Sequence, residues 1–174
     1  MISITQKTLQ DLEFNTVLET IASRCNTDIG EAKALAITPF KNKEELLINL
    51  KQTSEYLSSF SNNNAIPNHG FENINYELKF LAIEDSFLEV GSFKKISNLS
   101  ETAITLIQFL KKFEDYYPNL HQKASHIDIV KLILQRIDEV VDKFGIIKDN
   151  ASPDLIDIRR NINVVRGKIN QSFG

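Results

Sequence analysis

Three histidines, one cysteine and a few clustered charges are the residues of this sequence whose types suit chemistry. His121 and His126 stand five apart, which on one helix would set them about 140° from each other. A pair at i, i+4 would converge on a metal; this one does not. His69 falls in a loop by itself, and a metal site needs three or four ligands, so all three histidines read as exposed or capping side chains. Cys25 sits on the apolar side of its helix with no neighbouring charge placed to activate it, and reads as a packing residue. A single cysteine forms neither an intramolecular disulfide nor a thiolate cluster, which fits a reducing compartment. Lys111-Lys112 ahead of Tyr116-Tyr117 would serve as a basic stacking platform for single-stranded nucleic acid. The same residues also read as a helix end, with lysines at the negative pole of the dipole and tyrosines packing ahead of Pro118 with their hydroxyls in water. Glu84-Asp85 reads as solvated. Arg159, Arg160, Arg166 and Lys168 make the last segment basic, suited to phosphate or, more readily, to the acidic flank of a partner helix. No phosphate loop, dinucleotide fingerprint, nucleophile elbow or metal-ligand spacing occurs, so no catalytic, cofactor-binding or metal residue is assigned.

The chain around these residues has 174 amino acids, 42% apolar and 25% charged, the balance of a globular protein rather than a disordered one. Twenty basic against 23 acidic residues give a net charge of −3, so no overall positive field attracts nucleic acid or an anionic membrane. The opening MISITQKTLQDLEF lacks the apolar run of a signal peptide, and no stretch approaches the ~20 apolar residues that span a bilayer. A soluble, cytoplasmic protein without membrane contact is expected.

Six glycines and four prolines punctuate a sequence whose apolar residues recur every three or four positions, which predicts a helical class. After a short turn from Thr8 to Leu12, Asn15 is expected to cap a helix burying Val17, Leu18, Ile21, Ala22 and Cys25. Thr27 should cap a second helix reaching Leu35, stopped by Thr38-Pro39. Asn42 with Glu45 has the spacing of a capping box, opening a helix whose Leu46, Leu47, Leu50, Leu57 and Phe60 share a broad face. Polar loops follow at Ser61 to Asn64 and Pro67 to Gly70, before Phe71, Ile74, Leu78 and Leu81 resume the apolar pattern. A long helix from about Ser92 carries Phe93, Ile96, Leu99, Ala103, Leu106, Ile107, Leu110 and Phe113. Ser125 and Asp128 look like another capping box, ahead of Ile129, Val130, Leu132, Ile133 and Ile137. Val140-Val141 and Ile146-Ile147 around Gly145 predict a small hairpin.

Ser152-Pro153-Asp154 then combines a capping hydroxyl, a proline at the first helical position and a carboxylate near the positive pole. The helix it opens has Leu155, Ile158, Ile162, Val165 and Ile169 spaced three, four, three, four, the seam of a coiled coil. A seam this short wants a partner, and the pattern is still running at the last residues, which predicts a piece of a longer rod. The expected fold is therefore all-α: an irregular multi-helix bundle with one small β-hairpin near 140–148 and the start of a long coiled-coil helix. Residues 1–150 are expected to form a helical core and 151–174 the beginning of the coiled-coil helix. The seam folding back on the bundle is the alternative.

The segment from Lys148 to Arg160, KDNASPDLIDIRR, resembles the stretch preceding the lever helix in the type 2 branch of the MutS family, related to DNA mismatch repair proteins. Thr8-Leu9-Gln10-Asp11-Leu12-Glu13-Phe14 with Val17-Leu18 is similar to that branch's amino terminus. Gly30, Ala34, Thr38-Pro39, Gly145 and Ile147-Lys148-Asp149 fall in the same order between them. The likeness is clearest at the two ends and faint from about Ser61 to Asp128. It implies a larger protein with a helical core, a lever and clamp, a dimerising ATPase that uses ATP and Mg, and often an Smr nuclease domain. Members of that branch are associated with restraining recombination on DNA or with binding collided ribosomes. The stretch present here would be the amino-terminal core and the first turns of the lever, with no cofactor and no enzymatic activity of its own. Its partners would be the rest of its own chain, and for the whole protein a second copy and DNA or the ribosome. A stand-alone helical adaptor that binds a partner through its heptad face is the rival expectation.

Overall fold

A computed structural model describes residues 4–128 and 130–173, whose regular structure is helical apart from one isolated β-bridge. In chain order the helices are α1 (Gln6–Asp11), α2 (Phe14–Ala22), α3 (Asp28–Leu35), α4 (Lys43–Ser58), α5 (Asn75–Leu81), α6 (Val90–Lys112), α7 (Pro118–Ala124), α8 (Lys131–Val140) and α9 (Pro153–Phe173). No described helix is long and apolar enough to cross a membrane. Contacts group the chain into two compact units. One runs to Asn73 and resumes at Glu101; the other runs from Ile74 to Ser100 and resumes at Val130.

In the first unit, short-range capping sets the helix starts. Thr27 Oγ1 accepts the Gly30 N–H at 3.0 Å and opens α3. Asn42 Oδ1 accepts the Glu45 N–H at 2.6 Å, the N-cap half of a capping box, and the Asn42 side-chain amide donates to Glu45 Oε2 at 3.4 Å. Asn15, by contrast, lies inside α2: the chain reverses at Glu13, whose φ of 50° and ψ of 36° are left-handed, and the helix begins at Phe14 without a side-chain cap. Leu18 and Ala22 are buried in α2, whereas Val17 and Ile21 remain exposed.

The firmest packing in this unit surrounds Tyr117, which is fully buried. Its ring lies 5.8 Å from that of Phe109, and its hydroxyl points at Asn62 Oδ1 (3.1 Å) and the Asn64 carbonyl (2.5 Å). The polar loop after α4 thus satisfies a buried phenol, as burial of a hydroxyl demands. From α4, Glu55 extends its carboxylate to the first turn of α7 and accepts the N–H groups of Asn119 (3.0 Å) and Leu120 (2.9 Å). Pro118 accordingly begins a helix.

The second unit has a small core of Ile96, Ile137 and Val141, against which Ile74, Leu88, Val90 and Phe93 pack. Beside it Glu77 is buried, its Oε1 3.5 Å from both Lys95 Nζ and Ser92 Oγ. A buried carboxylate needs such partners to offset the loss of water.

Two expectations are corrected here. Ser125 caps nothing at an amino end: it follows α7, donates to the Gln122 carbonyl, and α8 begins at Lys131 behind Val130. Ile129, assigned to that helix from sequence, lies outside the described residues. The hairpin near 140–148 is absent, because Val140 is the last residue of α8 and leaves only Val141 to pair with Ile147 in one antiparallel bridge. The broad apolar face of α4 stays open, with Leu46, Leu47, Leu50 and Leu57 exposed, as is Phe60 just past the helix end.

Candidate functional site

The residues that set α9 in place form the most specific local arrangement in the chain. It starts in the turn that replaces the hairpin. Asp142 Oδ1 accepts the N–H groups of Phe144 (2.8 Å) and Ile146 (2.9 Å), and the Asp142 N–H donates to the Ile146 carbonyl at 2.8 Å. Gly145 takes a φ of +79°, which side-chain-bearing residues rarely adopt. Lys94, on α6, runs past this glycine and donates to the Lys143 carbonyl at 2.9 Å. Lys148 returns to α8, donating both its backbone N–H to the Val140 carbonyl at 2.8 Å and its ammonium to the Asp138 carbonyl. Val141, between them, is part of the core. The turn is thereby held by α6 and α8.

A Gly145→Ala substitution tests that tightness. Its Cβ would lie 3.2 Å from Lys94 Cδ in a left-handed conformation, so a loss of about 1–2 kcal/mol in urea denaturation is expected.

From this turn the chain enters α9. Ser152 Oγ accepts the Leu155 N–H at 3.2 Å, and Asp154 occupies the first turn of α9. Asp149, just outside the helix, pairs with the Arg159 guanidinium, which also reaches the Ile147 carbonyl at 3.4 Å. Asp149 is 82% exposed, so this pair contributes direction more than stability. Removing the cap with Ser152→Ala is expected to cost about 1 kcal/mol, read as a lower melting temperature.

Beyond its first turn α9 is open. Ile158, Ile162, Val165 and Ile169 are 54%, 45%, 54% and 49% exposed, while Leu155 at the root is half-buried. The seam predicted from spacing therefore exists as one stripe on a helix, and the described residues do not cover it. On its flank Asp149, Arg159, Ile162, Asn163 and Arg166 line a groove of about 350 Å³ open to solvent.

The other residues with chemical potential are placed apart and engaged structurally. His69 is held between the Tyr56 hydroxyl (3.3 Å) and the Pro67 carbonyl (3.0 Å). His121 stands 3.6 Å from Glu114, His126 is exposed, and the described residues contain no cluster of three or more metal-ligating side chains. Cys25 directs its thiol to the Ile21 carbonyl at 3.5 Å. The pairing of Lys111-Lys112 with Tyr116-Tyr117 does not form a platform, because Tyr117 is buried with its hydroxyl bonded to the loop rather than in water, and Lys112 lies over the Phe113 ring. The turn from Asp142 to Gly145 follows from the sequence, but the Asp142 carboxylate that bonds within it and Lys94, which reaches it from α6, do not; the Asp-x-x-Gly spacing is the signal for the first.

No family model matches this chain. Curated proteins named Endonuclease MutS2 do match it. The one from Alkaliphilus oremlandii is 28% identical over 171 residues, covering 95% of this chain and 22% of its own length. That from Symbiobacterium thermophilum is 24% identical over 95% of this chain and 21% of its own length, and that from Staphylococcus aureus 25% identical over 97% and 22%. Over nearly its whole length, then, this chain is similar to curated MutS2 proteins, and it spans about one fifth of their length.

Proposed function

We propose that this chain is the amino-terminal core and lever root of a MutS-like, ATP-dependent protein acting on DNA or the ribosome, a part that transmits motion and performs no chemistry itself. The observation that carries the reading is the open seam of α9 above an anchored root. A 21-residue helix is about 32 Å long. A small rotation of the core at its base becomes a large displacement at its tip, a hinge-type transition. The turn from Asp142 to Ile147 and the Ser152 cap are the joint. Division into a core over 1–150 and a lever from 151 follows from that assignment.

On this reading the nuclease named in the relatives, the ATP and Mg site and the dimerising surface belong to other parts of the whole protein, and no residue here is assigned to them. Reading the gene beyond the codon for Gly174 tests it. Several hundred further codons in frame, including a glycine-rich phosphate loop, would support the lever reading. A stop codon soon after would replace it with a self-contained helical adaptor.

A further inference from the structure

We infer that the exposed seam of α9 is a docking face for a helix whose own flanking positions are acidic. The inference rests on the lever reading only in taking α9 as one strand of a coiled coil. With Leu155, Ile162 and Ile169 at a and Ile158 and Val165 at d, the e positions are Arg159 and Arg166, and the later g positions are Asn161 and Lys168. Residues at e and g face the flanks of a partner helix and select it by charge. The flanks of this seam are cationic on both sides at its distal end.

The root of the helix already shows the complement. At Arg159 the guanidinium is met by the carboxylate of Asp149, from the chain just before the helix. One heptad further on, Arg166 lines the same groove and has no carboxylate partner among the described residues. A carboxylate from an approaching helix would repeat at Arg166 what Asp149 does at Arg159. Arg160, at the f position, points away from the seam and pairs with Asp157 on its own helix at 3.4 Å.

The same charges disfavour a second copy of this chain as the occupant. Antiparallel self-pairing sets e against e and brings arginine to arginine. Parallel self-pairing sets Asn161 against Arg166, and offers Arg159 only a carboxylate in place of the one it has. Duplex DNA would meet the guanidinium groups but leave the aliphatic stripe in water.

The test uses the 174-residue chain and two synthetic four-heptad peptides, both with isoleucine at a and leucine at d, one with glutamate and one with lysine at every e and g. Like charges hold each peptide apart from itself. Binding of the glutamate peptide about tenfold tighter than the lysine peptide at low salt is expected, with the difference shrinking as salt rises. Arg166→Glu should erase most of that preference and Arg160→Glu should leave it intact. Equal binding of the two peptides, or an equal effect of the two arginine substitutions, would overturn the inference. So would sedimentation of the chain as a dimer that Ile162→Glu abolishes, or binding of a DNA duplex that Arg166→Glu abolishes while neither peptide binds. Because the gene beyond Gly174 is read separately, a lever without charge preference and an adaptor with one are distinct results.

Discussion

Replacing Tyr117 by alanine is expected to lower stability by about 3–5 kcal/mol, the cost of emptying a fully buried aromatic site. Tyr117 is the largest side chain fully enclosed in the described structure, and it ties together three pieces of the first unit. Its ring meets Phe109 on α6, its backbone precedes Pro118 at the start of α7, and its hydroxyl anchors the loop that follows α4 through Asn62 and Asn64. Tyr117→Phe keeps the ring and loses only the hydroxyl, and should cost about 1 kcal/mol. The chain has no tryptophan, so urea denaturation followed by far-ultraviolet circular dichroism is the direct measurement. Equal losses in the two variants would mean that the hydrogen bonds, and not the packing, make the site.

Ile137→Ala is expected to cost about 2–5 kcal/mol, by lost burial and by the cavity left behind. The second unit's core has few buried residues to redistribute, since among the described residues its buried apolar cluster is Ile96, Ile137 and Val141. Val141 opens the turn that leads to α9, so the loss should spread to that turn. Faster amide exchange at Asp142, Gly145 and Ile146 is the expected sign, because their N–H groups bond to the Ile146 carbonyl, the Asp142 carbonyl and the Asp142 carboxylate respectively. Stability lost without that acceleration would show that the turn is held by Lys94 and Lys148 alone.

What could be read from the sequence was what closes within a few residues. Thr27, Asn42 with Glu45, and Ser152 each bond to an N–H three positions on, and each opens its helix where spacing predicted. Asn15 and Ser125 have the same residue types but lost to the backbone: a left-handed Glu13 starts α2 earlier, and Ser125 serves the end of α7. The pair Val140-Val141 is β-branched, but continuity of α8 claimed its first member and left no strand. Burial was least legible, because periodicity names an apolar face without naming what covers it. The α4 and α9 stripes are correctly placed on single faces and are exposed. Tyr117 went unrecognised as a core residue since its partners, Asn62 and Asn64, lie more than 50 positions away and are polar. The site was legible in part: the Ser152 cap and the heptad stripe follow from spacing, whereas the bonds of the Asp142 carboxylate and the Asp149–Arg159 pair depend on how the chain bends before α9.

The uncovered seam of α9 is tested most directly by the reactivity of a thiol placed in it. A chain carrying Cys25→Ser and Ile162→Cys has one cysteine, at the middle of the stripe. At dilute protein concentration without denaturant, that thiol should react with a disulfide reagent nearly as fast as it does in urea. Reaction slowed a hundredfold or more, and released only when the chain unfolds, would show that the stripe is covered by this molecule's own residues and would contradict the assignment of α9 as a lever awaiting its partner.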